Sequence, residues 1–98
     1  MDWLYCDFHI HTTWSDGAFS IPDVMEMYGE AGFDVIAVTD HVLDSRSLSR
    51  AEQEGVEHCS IEKEQFIHYQ RELWGAARYA WETCSMLVIP SLHPQSFR

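Results

Sequence analysis

In Asp34-Val35-Ile36-Ala37-Val38-Thr39-Asp40-His41 the chain carries a continuous apolar, largely β-branched run. That is the composition of a strand buried on both faces in a parallel sheet. Residues 3–11 upstream alternate instead. Leu4, Cys6, Phe8 and Ile10 share one side, while Trp3, Tyr5, Asp7, His9 and His11 share the other, which reads as a strand with an apolar back and a polar working face. Between these strands Ser15-Asp16-Gly17 marks a turn. Ser20 followed by Asp23 has the form of a capping box, and Pro22 suits a first helical turn. Ile21, Val24, Met25, Tyr28 and Ala31 then recur at helical spacing, with Gly32 as the stop. Strand, helix and strand in this order form a right-handed crossover unit.

Downstream, residues 42–60 are polar and aperiodic and read as a long loop. Residues 61–83 are expected to form a second helix. Phe66, Leu73, Ala77, Ala80 and Cys84 make its apolar stripe, and Ile67, Trp74 and Trp81 widen it into a heavily packed face. Met86-Leu87-Val88-Ile89 is expected to be a third buried strand, stopped by Pro90. The order β-α-β-α-β is an α/β pattern, either the start of an α/β barrel or a small open parallel sheet.

Ninety-eight residues allow one domain, burying about 60–70% of the surface its unfolded form exposes. The 46% hydrophobic and 13% aromatic content suffices for a packed core and excludes a disordered chain. A formal net charge of -10 repels phosphate backbones, which disfavours nucleic acid as a partner and suits divalent cations. Cys6, Cys59 and Cys84 are odd in number and far apart, so neither a disulfide framework nor a structural zinc knuckle is indicated; they read as buried thiols in a reducing cytoplasm. With no leader pattern and no apolar run of the ~18 residues a membrane span needs, the expected location is cytoplasmic.

His9 and His11, two apart on a strand, project both imidazoles from one face at the strand's C-terminal end, where α/β folds place their sites. By itself a His-x-His pair is as consistent with ordinary surface residues. Asp16 follows in a tight turn able to bring its carboxylate back over the strand end, and Thr39-Asp40-His41 ends the second strand at the same edge. Three segments that local propensity does not link thus deliver His or Asp to one rim, the pattern of a metal site. Nitrogen and oxygen donors without thiolate favour zinc, manganese or iron(II).

The run His9-Ile10-His11-Thr12-Thr13-Trp14-Ser15-Asp16-Gly17, followed by Ile36-Ala37-Val38-Thr39-Asp40-His41, resembles the first two motifs of the polymerase and histidinol phosphatase (PHP) family. The resemblance extends to about Pro90. It implies that residues 1–90 are the N-terminal part of a PHP domain, a distorted TIM-like barrel of seven βα units that holds up to three divalent metal ions and hydrolyses phosphoesters with a metal-activated water. His9 and His11 would ligate one metal, and Asp16 and His41 another; no side chain here would attack the substrate. Residues 91–98 depart from the family pattern. The third strand should lead into Gly-x-Glu, but Ser91-Leu92-His93 follows, and an imidazole at His93 binds one cation without bridging two as the glutamate would. The later motifs are absent, so the expectation is an incomplete barrel from a reading frame truncated or shifted near Ser91.

His58 and His68 read as surface residues, Trp74 and Trp81 as core, and Glu62, Glu64, Glu72 and Glu82 as solvated helix faces. Arg46 and Arg50 lie in the long loop, where they could hold a phosphate, although a solvated loop fits them as well. Three functions are compatible with these features. They are a phosphoesterase acting on a phosphorylated small molecule, a catalytically silent metal-binding fragment, and an exonuclease-type module of the kind attached to polymerases. An incomplete barrel would also self-associate through its open sheet edge.

Overall fold

The computed structural model describes residues 3–42, 61–91 and 93–94. Arg46, Arg50, His58 and Cys59 lie outside the described residues. Strand β1 is Cys6–Ile10, helix α1 Ile21–Glu30, β2 Val35–Val38 and β3 His41–Val42. A 3₁₀ turn, Lys63–Gln65, leads into helix α2, Phe66–Cys84, which is followed by β4, Leu87–Pro90, and β5, His93–Pro94.

The ends of α1 follow from local chemistry. Asp23 donates its backbone N–H to Ser20 Oγ at 3.3 Å, with Ser20 at the N-cap and Pro22 in the first turn. At the other end Gly32 takes φ +81°. The Phe33 N–H returns to Tyr28 O and the Gly32 N–H to Gly29 O, the paired bonds of a Schellman motif that a residue with a side chain would strain.

The main sheet has the order β1-β2-β4, and both pairings are parallel. The central strand β2 is the apolar run, with Ile36, Ala37 and Val38 all buried. Ile10, Ile36, Val38 and Val88 of the sheet pack with Ile21, Val24 and Met25 of α1 and with Tyr69, Leu73 and Ala80 of α2 in one core. Both helices therefore cover the same face. A second, two-stranded parallel ladder, β3 with β5, extends past the ends of β2 and β4 and aligns His41 with His93.

Among the described residues the opposite face is exposed, and this corrects two expectations. Leu87 and Ile89 are exposed while Val88 is buried, so β4 is buried on one face only. Leu4, Cys6 and Phe8, expected to be the apolar back of β1, are exposed as well. The register explains why. Cys6 aligns with Val35 and Asp7 with Ile36, but the next alignment is Ile10 with Val38. Three steps along β1 match two along β2, so β1 carries one extra residue, a bulge that reverses the alternation. Asp7 and Ile10 both face the helices, Asp7 accepting a hydrogen bond from the Tyr28 hydroxyl of α1 at 2.7 Å and Ile10 joining the core.

On α2 the buried line is Tyr69, Leu73 and Ala80, with Phe66, Ala76 and Ala77 packed against it. Ile67, Trp74 and Trp81, expected to widen the packed face, are exposed. The thiols of Cys6 and Cys84 are exposed too, contrary to the buried reading. His68 and Glu62, Glu64, Glu72 and Glu82 are exposed as expected. Among the described residues no helix is long and apolar enough to cross a membrane.

Candidate metal centre

β1 and β2 run parallel, so their C-terminal ends meet at one edge of the sheet, and His11 and His41 each lie just past such an end. Each is an odd step from a residue facing the helices, His11 from Ile10 and His41 from the buried Asp40. Both imidazoles are thereby turned away from the helix-side core. Their rings meet edge to face with centroids 4.3 Å apart.

Asp16 reaches the same place from the turn at residues 13–16. His11 Nδ1 lies 2.7 Å from Asp16 Oδ1, and His41 Nε2 lies 3.2 Å from Asp16 Oδ2. Burial pushes the Asp16 carboxyl pKa up, but the adjacent His41 and His11 and the hydrogen bond from His11 together outweigh it and hold the carboxyl below its usual value. Asp16 is therefore an anion at neutral pH. One donor atom from each of His11, Asp16 and His41 lies within 4.8 Å of the others, a group that could hold a metal ion. Two imidazoles and a carboxylate are borderline and hard donors, suited to a divalent first-row cation.

His9 stands beside this group. Its ring centroid is 4.6 Å from that of His11, and its backbone N–H donates to Asp7 Oδ1 at 3.0 Å. The structure thus joins His11, Asp16 and His41 in one three-residue group, with His9 as a neighbour of His11. The backbone of His93 aligns with His41 across the β3–β5 ladder. A groove of about 940 Å³ runs between α1 and α2, lined by residues such as Met25, Gly29, Ala76 and Cys84. It contains none of the three group residues.

The turn bearing Asp16 is held by contacts that explain the residues around it. Asp40 is fully buried and accepts three hydrogen bonds from that turn, from Thr12 N–H at 2.6 Å, Thr12 Oγ1 at 2.8 Å and Ser15 Oγ at 2.6 Å. The Gly17 N–H donates to Thr12 O at 2.8 Å. A Cβ at Gly17 would collide with the carbonyl carbon and oxygen of His11 and lie 2.6 Å from Thr12 N, so only glycine permits this approach. From α2, Tyr69 brings a buried hydroxyl close to Asp40. It makes no well-formed hydrogen bond among the described residues, yet burial and then the Asp40 charge raise its pKa far above the ordinary phenol value, keeping it neutral. Sequence reasoning placed Asp40 at the rim and gave it no role; Tyr69 it missed. The sequence signal for both was their setting, a carboxylate beside His41 and a tyrosine one helical turn before Leu73.

No family model matches the chain. Over 35 residues it is 51% identical to the DNA polymerase/3'-5' exonuclease PolX of Bacillus subtilis (strain 168). That stretch is 36% of this chain and 6% of that protein, so the chain spans a small fraction of the relative it matches.

Proposed function

We propose that residues 1–90 are the N-terminal part of a PHP-type domain, the opening units of a TIM-like barrel, whose chemistry is metal-dependent hydrolysis of a phosphoester. The observation that carries this reading is the convergence of His11, Asp16 and His41 from three separate segments on one edge of a parallel sheet. His11, Asp16 and His41 would hold one divalent ion, with His9 beside them as a ligand for a second. Such an ion, zinc, manganese or iron(II), lowers the pKa of a bound water and offsets the charge of a phosphate. The carboxylate of Asp16 supplies the negative charge that retains the cation, and the two imidazoles complete the donor set. Both helices pack against the other face of the sheet.

Titration calorimetry of the chain with Mn²⁺ and Zn²⁺ tests the site. Binding lost in Asp16→Ala and His41→Ala is the expected result, and undetectable binding at millimolar metal would remove the reading. Metal-stimulated hydrolysis of an aryl phosphate then separates an active hydrolase from a silent metal-binding fragment. A second reading, an exonuclease-type module, draws support from the matched relative, whose name includes 3'-5' exonuclease activity. Against it stands the net charge of -10, which opposes capture of a nucleic acid backbone. Shortening of a 3'-labelled single strand in the presence of Mn²⁺ would select it over action on small phosphoesters.

A further inference from the structure

Each residue of the candidate metal centre is covalently next to a member of a second, buried hydrogen-bonded cluster. His11 precedes Thr12, Ser15 precedes Asp16, and Asp40 precedes His41. Within that cluster Asp40 Oδ1 accepts from Thr12 N–H and Ser15 Oγ, and Asp40 Oδ2 accepts from Thr12 Oγ1. The Ser15 hydroxyl also lies 3.4 Å from Asp16 Oδ1. It has one hydrogen to give, and the 2.6 Å contact to Asp40 takes it.

A fully buried carboxylate is costly, and here no lysine or arginine among the described residues pairs with it. An apolar residue facing the helices would pack the core more cheaply, as Val38 and Ile36 do two and four residues earlier. What the carboxylate alone provides is three acceptor contacts just past β2, which seize Thr12 and Ser15 ahead of Asp16. That fixes the backbone leading into Asp16 relative to His41.

We propose that Asp40 is a positioning residue for the metal centre. It acts through Thr12 and Ser15 to hold Asp16 at the distance from His11 and His41 that a cation needs, and it is not itself a ligand. The proposal rests on the metal-binding reading of His11, Asp16 and His41. It goes beyond it by assigning the affinity of the site to a carboxylate that never touches the ion. A merely structural Asp40 would alter stability and leave the folded site unchanged.

The test compares the whole chain with Asp40→Asn and Ser15→Ala. Co²⁺ affinity and the visible Co²⁺ spectrum are measured alongside urea unfolding and ¹⁵N imidazole shifts of His11 and His41 in the metal-free state at fixed pH. Ser15 is at the surface end of the cluster, so Ser15→Ala remains folded even if Asp40→Asn does not. The expected result is a Co²⁺ affinity weakened about 10- to 100-fold in folded variants, with a changed spectrum and moved imidazole signals. Unchanged affinity, spectrum and imidazole shifts in folded Ser15→Ala and Asp40→Asn overturn the proposal while wild-type binding keeps the metal reading intact. If the wild-type chain binds no Co²⁺, the metal reading falls and this inference with it.

Discussion

Replacing Gly17 by alanine places a methyl group where the structure has no room. The new carbon would overlap the His11 carbonyl and stand 2.6 Å from Thr12 N. All of these are backbone atoms, so no rotamer change relieves the clash. Carbon atoms need about 3.5 Å between them, so the turn must retreat from the end of β1 by on the order of 1 Å. Such a shift breaks the bond from Gly17 N–H to Thr12 O and pulls Ser15 Oγ off Asp40. A neutral hydrogen bond contributes about 1 kcal/mol and one to a charged group about 1.5–3 kcal/mol, so Gly17→Ala should cost about 2–4 kcal/mol. With a urea dependence of about 1–1.5 kcal/mol per molar for a small protein, the midpoint should fall by roughly 2 M. Metal–ligand distances tolerate shifts of about 0.2 Å, so any folded fraction should bind Mn²⁺ at least about tenfold more weakly. Urea melts followed by tryptophan fluorescence, with calorimetric titration at low denaturant, measure both. A Gly17→Ala protein with wild-type midpoint and affinity would refute the claim that the close approach of Gly17 to His11 builds the turn.

Two further outcomes follow from the core and its edges. Burial, with the Asp7 hydrogen bond and charge, pushes the Tyr28 phenol up to about 12 from its ordinary 10. The folded state therefore holds this proton more tightly than the unfolded one. The resulting stability is complete below about pH 10 and lost as pH rises toward about 12, and Tyr28→Phe should flatten that alkaline decline in stability and remove the component near 12 from the ultraviolet tyrosinate signal. On α2, Leu73→Ala should cost about 2–5 kcal/mol. Trp74→Gln, one residue away and exposed, should stay within about 0.5 kcal/mol, and equal losses by urea denaturation would contradict the assignment of the buried line.

Features written in adjacent residues were legible in advance. Ser20 with Asp23 and the glycine at position 32 gave α1 its two ends, because caps depend on a few neighbouring backbone groups. The unbroken apolar run of β2 identified a central strand, since burial on both faces leaves no polar position. The exposed tryptophans were not legible. Residues 67, 74 and 81 recur every seven positions and so line one side of a helix as convincingly as any core stripe. Which of two apolar lines meets the sheet is settled by packing, and here Tyr69, Leu73 and Ala80 occupy it. Cys6 and Cys84 differ from the buried reading for the same reason: the exposed face of the sheet and the groove between α1 and α2 are properties of the assembled layers.

The histidine site depended on an error in the simplest pattern. Strict alternation along β1 would keep Asp7, His9 and His11 on one face. Asp7 is on the helix side, bonded to Tyr28, so an unbroken strand would aim His11 beneath α1, into the core and away from Asp16. The extra residue between Asp7 and Ile10 removes that conflict. It lets Asp7 and Ile10 both serve the core and returns His11 to the face where His41 emerges from β2, 4.3 Å away ring to ring. The consequence of the bulge is visible at Ile10, which is buried where strict alternation from Asp7 would have turned it to the exposed face with Phe8. Bulges recur beside functional sites because they re-aim a side chain without disturbing the rest of the sheet. In this chain the bulge makes a helix-anchored strand and a rim-facing imidazole compatible within five residues.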